Sequence, residues 1–337
     1  MSIISRETLA DWLNALAQEQ TLIAPKKVSD ILLYRPVHSS AEIVWNYIRP
    51  VMSIKEAFFP PTERLLSIEK NGQSIRLSEI RPEGEQVLFG VRPCDARSLL
   101  ALDELFIDTE PIDSYYAQRR QNTTIIGMAC TQMSETCFCT STGGSPDDYT
   151  GMDVIVYPLD GGYQVRVLTP AGERIAQSLD IRYFELGMQP PPPEPLSFSS
   201  AYQIPEKETW PAQFDDSFWA EMAERCLSCR ICAYVCPTCR CFDVRDEPVH
   251  TGNGQNQFER IRCWDSCTGA VYRRIAGGHN PRAAKGERLR NRFFCKFYYY
   301  PEQYGPTACT GCGRCIEACP VNIDITEVIQ HLQEVSA

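Results

Sequence analysis

The chain has 337 residues, 43% of them apolar and 23% charged, with a formal net charge of −10 and 17 cysteines. That length allows two domains with a sizeable core, and the acidic balance argues against a nucleic-acid partner. No apolar run approaches the roughly 20 residues of a membrane span, and the mean hydropathy is slightly negative.

The opening stretch, MSIISRETLADWLNALAQEQ, reads as an acidic amphipathic helix. It lacks the basic flank and continuous apolar core of a signal peptide, so a cytoplasmic location is expected. Next come short β-branched runs bounded by turn residues: DILLYRP, VLFGV, TTIIGMA, DVIVYPL and GYQVRVLTP. These read as strands. DARSLLALDELF follows VLFGVRP as a helix after a strand. Residues 1–188 are therefore expected to form an α/β domain.

The segment GMQPPPPEPLSF is too rich in proline for helix or central strand, and residues 189–213 are expected to be a stiff linker. DDSFWAEMAERCLSC then reads as a helix, with Asp215 or Asp216 near its N-cap, leading into a cysteine-dense region. Residues 214–337 are expected to be a mainly helical, ferredoxin-like domain. The fold class is thus α+β multidomain.

The cysteines are unevenly placed. Four lie between Cys94 and Cys139, and the other thirteen between Cys226 and Cys319. In a reducing compartment, thiols at short spacing point to metal or redox chemistry, not disulfides. The pattern C-x-x-C-x-x-C-x-x-x-C-P occurs twice, at Cys226, Cys229, Cys232, Cys236 and at Cys309, Cys312, Cys315, Cys319. The two copies flank an insertion, 242–308. This is the run of two-cluster ferredoxins, in which three cysteines wrap one cubane and the fourth reaches the other. Cluster one is expected on Cys226, Cys229, Cys232 and Cys319, and cluster two on Cys309, Cys312, Cys315 and Cys236. Zinc is the competing reading, but it favours paired C-x-x-C units.

A second constellation joins GVRPCDARS to GMACTQMSETCFCTSTGG: Cys94, Cys130, Cys137 and Cys139. If the two preceding strands are parallel neighbours, both loops fall on one rim of the sheet, where open α/β folds place ligands. A third iron–sulfur cluster is expected there, with zinc or a chance set of buried thiols as alternatives. Of the remaining five cysteines, Cys239, Cys241, Cys267 and Cys295 form a candidate fourth centre, against the alternative of ordinary buried thiols. Cys263 is the first to discard. The tract holding Arg282, Lys285, Arg288, Arg290, Arg292 and Lys296 is expected to offset cluster charge, against the alternatives of a solvated face or an acidic partner. The sequence has no G-x-G-x-x-G turn and no Walker loop, and no catalytic residue stands out.

These strings together resemble a known family. FFPPTERLL, FGVRPCDARSLLALDELF, CFC, CPTCRCFDVRD, RCWDSC, AGGHNPR, ERLRNR and CTGCGRCIEACPVNIDI are similar to the beta subunit of NAD(P)-linked nickel–iron hydrogenases, or sulfhydrogenases, and to the corresponding iron–sulfur component of anaerobic sulfite reductase. The resemblance covers nearly the whole chain. It implies an electron-transfer protein relaying single electrons between a flavin/NAD(P)H-binding subunit and a catalytic one, either a hydrogenase or a sulfite reductase. Cys295 in FFCKF leans toward the hydrogenase branch, and heterodisulfide-reductase-linked complexes are a further relative. Two other function classes stand against it: an enzyme binding a flavin near Cys94, and a zinc platform.

Overall fold

A computed structural model describes residues 3–177, 194, 197–198, 200, 202–249 and 256–335. Strand β1 (Ile3–Ile4) leads into helix α1 (Arg6–Glu19). The Ser5 side chain accepts from the Thr8 amide at its N-cap, and Leu9, Trp12, Leu13 and Leu16 form the buried face, the i, i+3, i+4, i+7 pattern of an amphipathic helix. Strands β2 (Thr21–Val28) and β3 (Ile31–Val37) form a hairpin, and helix α2 (Lys55–Phe58) follows. Beyond them lie β4 (Thr62–Asn71), β5 (Ser74–Glu79), β6 (Gln86–Val91), α3 (Pro93–Phe106), α4 (Ser114–Gln121), β7 (Thr123–Met128), β8 (Val154–Leu159), β9 (Gly162–Val167) and α5 (Pro170–Ala176).

Seven strands build one sheet in the order β1-β9-β8-β7-β6-β2-β3. Its centre, β8-β7-β6-β2, is parallel, and its margins are antiparallel. Side chains alternate between two cores. Val87, Phe89, Ile126 and Val154 pack with α1 residues Leu9, Trp12 and Leu13 on one face. Leu88, Ile125 and Ile155 pack with Leu99, Leu102 and Phe106 of α3 on the other. Both faces are covered, which is why the central strands read as continuous apolar runs. The α/β reading of the first half agrees with this sheet, and β6 and β7 are indeed parallel neighbours.

The second half departs from the expected mainly helical domain. Helices α6 (Phe218–Arg225), α7 (Ile231–Tyr234), α8 (Lys285–Phe294), α9 (Tyr300–Tyr304), α10 (Arg314–Glu317) and α11 (Ile325–Glu334) are present, with a π-helical turn at Cys295–Tyr299. The stretch 242–308 also supplies β10 (Phe242–Val249) and β11 (Asn256–Trp264). These pair with β4 and β5 in a four-stranded antiparallel sheet, β10-β11-β4-β5. The sheet therefore draws on both halves of the chain. Arg262 of β11, 4% exposed, fixes that union: its Nε donates to Glu63 Oε2 of β4 at 3.1 Å, and its Nη1 to Asp113 beside α4.

Residues 189–193, 195, 196, 199 and 201 of the stretch expected as a linker lie outside the described residues. Its last part folds onto the second half as two 3-10 turns, Lys207–Thr209 and Pro211–Gln213. Trp210 between them is fully buried, stacked on Phe297 with ring centroids 5.2 Å apart. As expected, Asp216 lies beside the N-cap of α6, Ser217, and accepts from the Phe218 amide at 2.8 Å. A third core gathers Trp219, Leu289, Phe293, Ile329 and Leu332. Phe138 from the first half is inserted into it.

The two halves are also joined by a buried ion pair. Arg314 of α10 and Asp95 of α3 are 2% and 0% exposed at their side chains. The guanidinium donates in parallel to both carboxylate oxygens at 2.6 and 2.7 Å, and its Nε donates to the Pro50 carbonyl at 2.9 Å. Removing one partner strands a charge in the interior. We expect Asp95→Ala to cost about 3–5 kcal/mol in denaturant unfolding, and Asp95→Leu with Arg314→Met to recover most of that loss. A double-variant loss equal to the sum of the two single losses would show that the pair is not coupled.

Candidate metal centres

Both C-x-x-C-x-x-C runs begin in loops that turn through the left-handed region. In the first run Ser228 and Arg230 have φ of 54° and 68°; in the second, Gly311 and Gly313 have φ of 63° and 74°. The positions match one for one, so the repeat in sequence is a repeat in backbone. Only the second run uses glycine. A Cβ at Gly311 would lie 2.5 Å from the Cys139 backbone nitrogen, and one at Gly313 would lie 2.4 Å from the Thr136 carbonyl oxygen. The first run lacks that close backbone neighbour and carries side chains there, accepting the φ cost of non-glycine residues.

Four cavities collect the cysteines. Cys226, Cys229, Cys232 and Cys319 line the first-run cavity, with Cys315 at its border. Cys236, Cys309, Cys312 and Cys315 line the second-run cavity. Cys94, Cys130, Cys137 and Cys139 line an N-terminal cavity at the ends of β6 and β7, together with Arg49, Gly311 and Cys312. Cys239, Cys241, Cys267 and Cys295 line a fourth, of about 180 Å³, with Arg240, Tyr272, Arg273, Arg292 and Lys296. Each expected foursome thus shares one cavity. Cys263 lies apart on β11, its thiol 3.7 Å from the Thr62 hydroxyl.

Each cavity carries a cation aimed at a thiol. Arg292 Nε donates to Cys232 Sγ at 3.2 Å, Lys296 Nζ to Cys236 Sγ at 3.1 Å, and Arg49 Nη1 to Cys137 Sγ at 3.1 Å. Arg240 Nη2 stands 3.8 Å from Cys295 Sγ. Backbone amides add to this: Ser228 N reaches Cys226 Sγ at 3.4 Å and Ile323 N reaches Cys319 Sγ at 3.1 Å. Such donors stabilise sulfur ligands in their charged form.

The basic tract on and around α8 divides by position. Arg292 and Lys296 are 3% exposed and face the thiols. Arg288 is buried against the carbonyls of Arg282 and Ala283, and Lys285 donates to the Cys226 carbonyl at 3.1 Å. Arg290 instead lies over the Phe214 ring, 3.5 Å from its centroid. The π-helical turn puts Cys295 and Lys296, one residue apart, into the same cavity wall, in keeping with the tendency of such turns to sit at functional sites.

Several contributors were not legible from spacing. Arg49 reaches across to Glu317 at 2.5 Å, and Glu317 also accepts from Ser134 and Thr136. Lys55 of α2, 1% exposed, donates to the Cys239 carbonyl at 3.1 Å and lies over Trp264, 3.8 Å from the ring centroid. Burial pulls this ammonium down to about 8, against the upward pull of Cys239 and Cys236. For Lys296, burial acts the same way but the thiolates of Cys236 and Cys239 outweigh it, and its pKa is raised. Burial pushes the thiols of Cys139 and Cys309 up, to about 12 and about 11. Without a positive centre these thiols hold their protons, so ligation and deprotonation go together.

The residues fit iron–sulfur clusters on the donor set and on two further observations. Thr310 Oγ1 in the second-run cavity and Arg49 Nε, on the Arg49 side chain that reaches the N-terminal one, are buried polar atoms with no hydrogen-bond partner among the described residues. Among those same residues, no group of three or more His, Cys, Asp or Glu is disposed to hold a single metal ion. The sulfurs instead surround spaces. No helix among the described residues is long and apolar enough to cross a membrane.

Comparison with known proteins points to iron–sulfur chemistry in the second half of the chain. A family model described as a 4Fe-4S dicluster domain matches residues 225–323. No solved structure matches the chain. The chain is 31% identical, over 97% of its own length and 97% of the relative's, to the sulfhydrogenase 2 subunit beta of Pyrococcus furiosus. It therefore belongs to the family of sulfhydrogenase beta subunits, iron–sulfur electron-transfer proteins that serve larger oxidoreductases.

Proposed function

We propose that the chain carries single electrons between a flavin/NAD(P)H-binding subunit and a nickel–iron hydrogenase subunit, and that four iron–sulfur centres do this work. The observation that carries the proposal is that sixteen of the seventeen cysteines line four cavities, each holding one expected foursome, with Cys315 and Cys312 each lining a second one as well. Cys226, Cys229, Cys232 and Cys319 hold the first [4Fe–4S] cluster, and Cys309, Cys312, Cys315 and Cys236 the second. The crossed fourth ligands follow the two-cluster ferredoxin run. Cys94, Cys130, Cys137 and Cys139 hold a third, and Cys239, Cys241, Cys267 and Cys295 a fourth. When bound, the clusters supply one-electron redox chemistry.

The protein's own residues set the conditions. The thiols give up their protons on ligation. Arg49, Arg292, Lys296 and Arg240 place positive charge or N–H donors on ligand sulfurs, which favours the more negative, reduced form. The cores around the second run exclude water, so these donors act in a low dielectric. Cys229 is exposed and is flanked by exposed Leu227 and Ile231. That edge offers the first-run centre to a partner subunit. No substrate-converting site is assigned to the chain.

Anaerobically purified protein with iron in supply is expected to be brown and to contain about sixteen irons per chain, four per cubane. About eight irons would leave only the two ferredoxin-type clusters, and zinc in place of iron would remove the reading altogether. The paired substitution Cys137→Ala and Cys139→Ala is expected to lower iron content by about four atoms while the other signals persist. Cys263→Ser is expected to leave iron content and absorption unchanged; a loss of iron in that variant would overturn the grouping of the thiols.

A further inference from the structure

The four cavities are not equivalent neighbours. Cys315 lines both the first-run and the second-run cavity. Cys312 lines both the second-run and the N-terminal cavity. Lys296 and Thr238 line both the second-run and the fourth cavity. The second-run cavity therefore adjoins all three others. The N-terminal cavity shares lining with the second-run cavity alone among the four.

One side chain stands at this meeting point. Lys296 Nζ donates to Cys236 Sγ at 3.1 Å, to Thr238 Oγ1 at 3.0 Å and to the Ala308 carbonyl at 3.1 Å. Its side chain is buried, and its bonds go to a thiol, a hydroxyl and a carbonyl, so its positive charge is left to act on the sulfur ligands. A cation in hydrogen-bond contact with a ligand sulfur stabilises the form that has gained an electron.

Resting on the four-centre reading above, we propose that the second-run site is a three-way junction and that Lys296 is the positioning residue that makes it reducible. An electron arriving there leaves one neighbouring centre oxidised by one and the junction reduced by one. It then passes to another neighbour with the reverse balance, and no bond or proton moves. The electron donor and final acceptor are the one-electron carriers of the partner subunits. Lys296 thus acts on the centre that adjoins all the others, while Arg292 stands between the first-run and fourth cavities.

The test is stepwise reduction of the full chain followed by electron paramagnetic resonance, with iron assayed in parallel. In the wild-type chain, the appearance of spin at one centre is expected to broaden the signals of the three others. In Lys296→Met, with iron content unchanged, that centre's spin at a fixed mild reductant is expected to fall by about threefold or more, and the other three signals to sharpen together. Lys296→Arg keeps the charge and is expected to restore both. If no single centre broadens the rest in the wild-type chain, the junction is wrong whatever the variants do. If Lys296→Met leaves the spin unchanged, the role of Lys296 is wrong. An iron content of about eight per chain would instead overturn the four-centre reading itself.

Discussion

Everything in this chain turns on how negative charge is tolerated in its interior. A cubane held by four thiolates is an anion, and burying an anion without a partner is costly. Here the partners are cations that have themselves been buried. Arg292 and Lys296 spend their hydrogen bonds on cysteine sulfurs, carbonyls and a hydroxyl. In a protein of net charge −10, keeping such groups away from carboxylates is a specific arrangement. It also binds loading to folding: with the thiols protonated, Arg292 and Lys296 bear a burial cost that ligated sulfur offsets.

The same logic explains why the two halves of the chain interlock. The N-terminal thiols could stand on a separate α/β domain, yet the loop bearing Cys137 and Cys139 is fitted against the second run. Phe138 between them enters the C-terminal core, its amide donates to the Gly311 carbonyl at 2.8 Å, and glycine at 311 and 313 makes the approach feasible. Arg314, one residue before Cys315, pairs with Asp95, one residue after Cys94. Ligand cysteines of two sites are thereby held by neighbours that are paired to each other. The N-terminal cavity and the second-run cavity are thereby held at a fixed spacing by packing and not by a linker.

Much of this could be read from the residues. The ferredoxin-type spacing marks out two runs of candidate ligands, and every expected foursome lines one cavity. The parallel strands were legible as unbroken β-branched runs. The antiparallel sheet was not. TERLLSIEKN, SIRLSE and FDVRDEPV are charged and largely solvated strands, so they lack the alternation that marks a half-buried strand. Nor do Arg49, Lys55 and Asp95 declare themselves. A charged residue reads as surface unless a partner is known, and their partners lie far along the chain, at Glu317, Cys239 and Arg314. Within the basic tract, charge was legible but direction was not. Helical phase sends Arg292 inward and Arg290 out over Phe214.

The asymmetry between the two runs is the last step. They share left-handed turns at matching positions, but their surroundings differ. The first keeps Ser228 and Arg230 at its turns and leaves Cys229 exposed between exposed Leu227 and Ile231. The second has glycine at those turns, and its cavity adjoins the other three. A centre at the surface is suited to exchange with a partner, since one-electron transfer needs proximity but not contact between reacting atoms. A centre enclosed by its neighbours is suited to distribution. The physical difference between the two comes down to side chains at two backbone positions, and to the ammonium of Lys296 placed on the enclosed one.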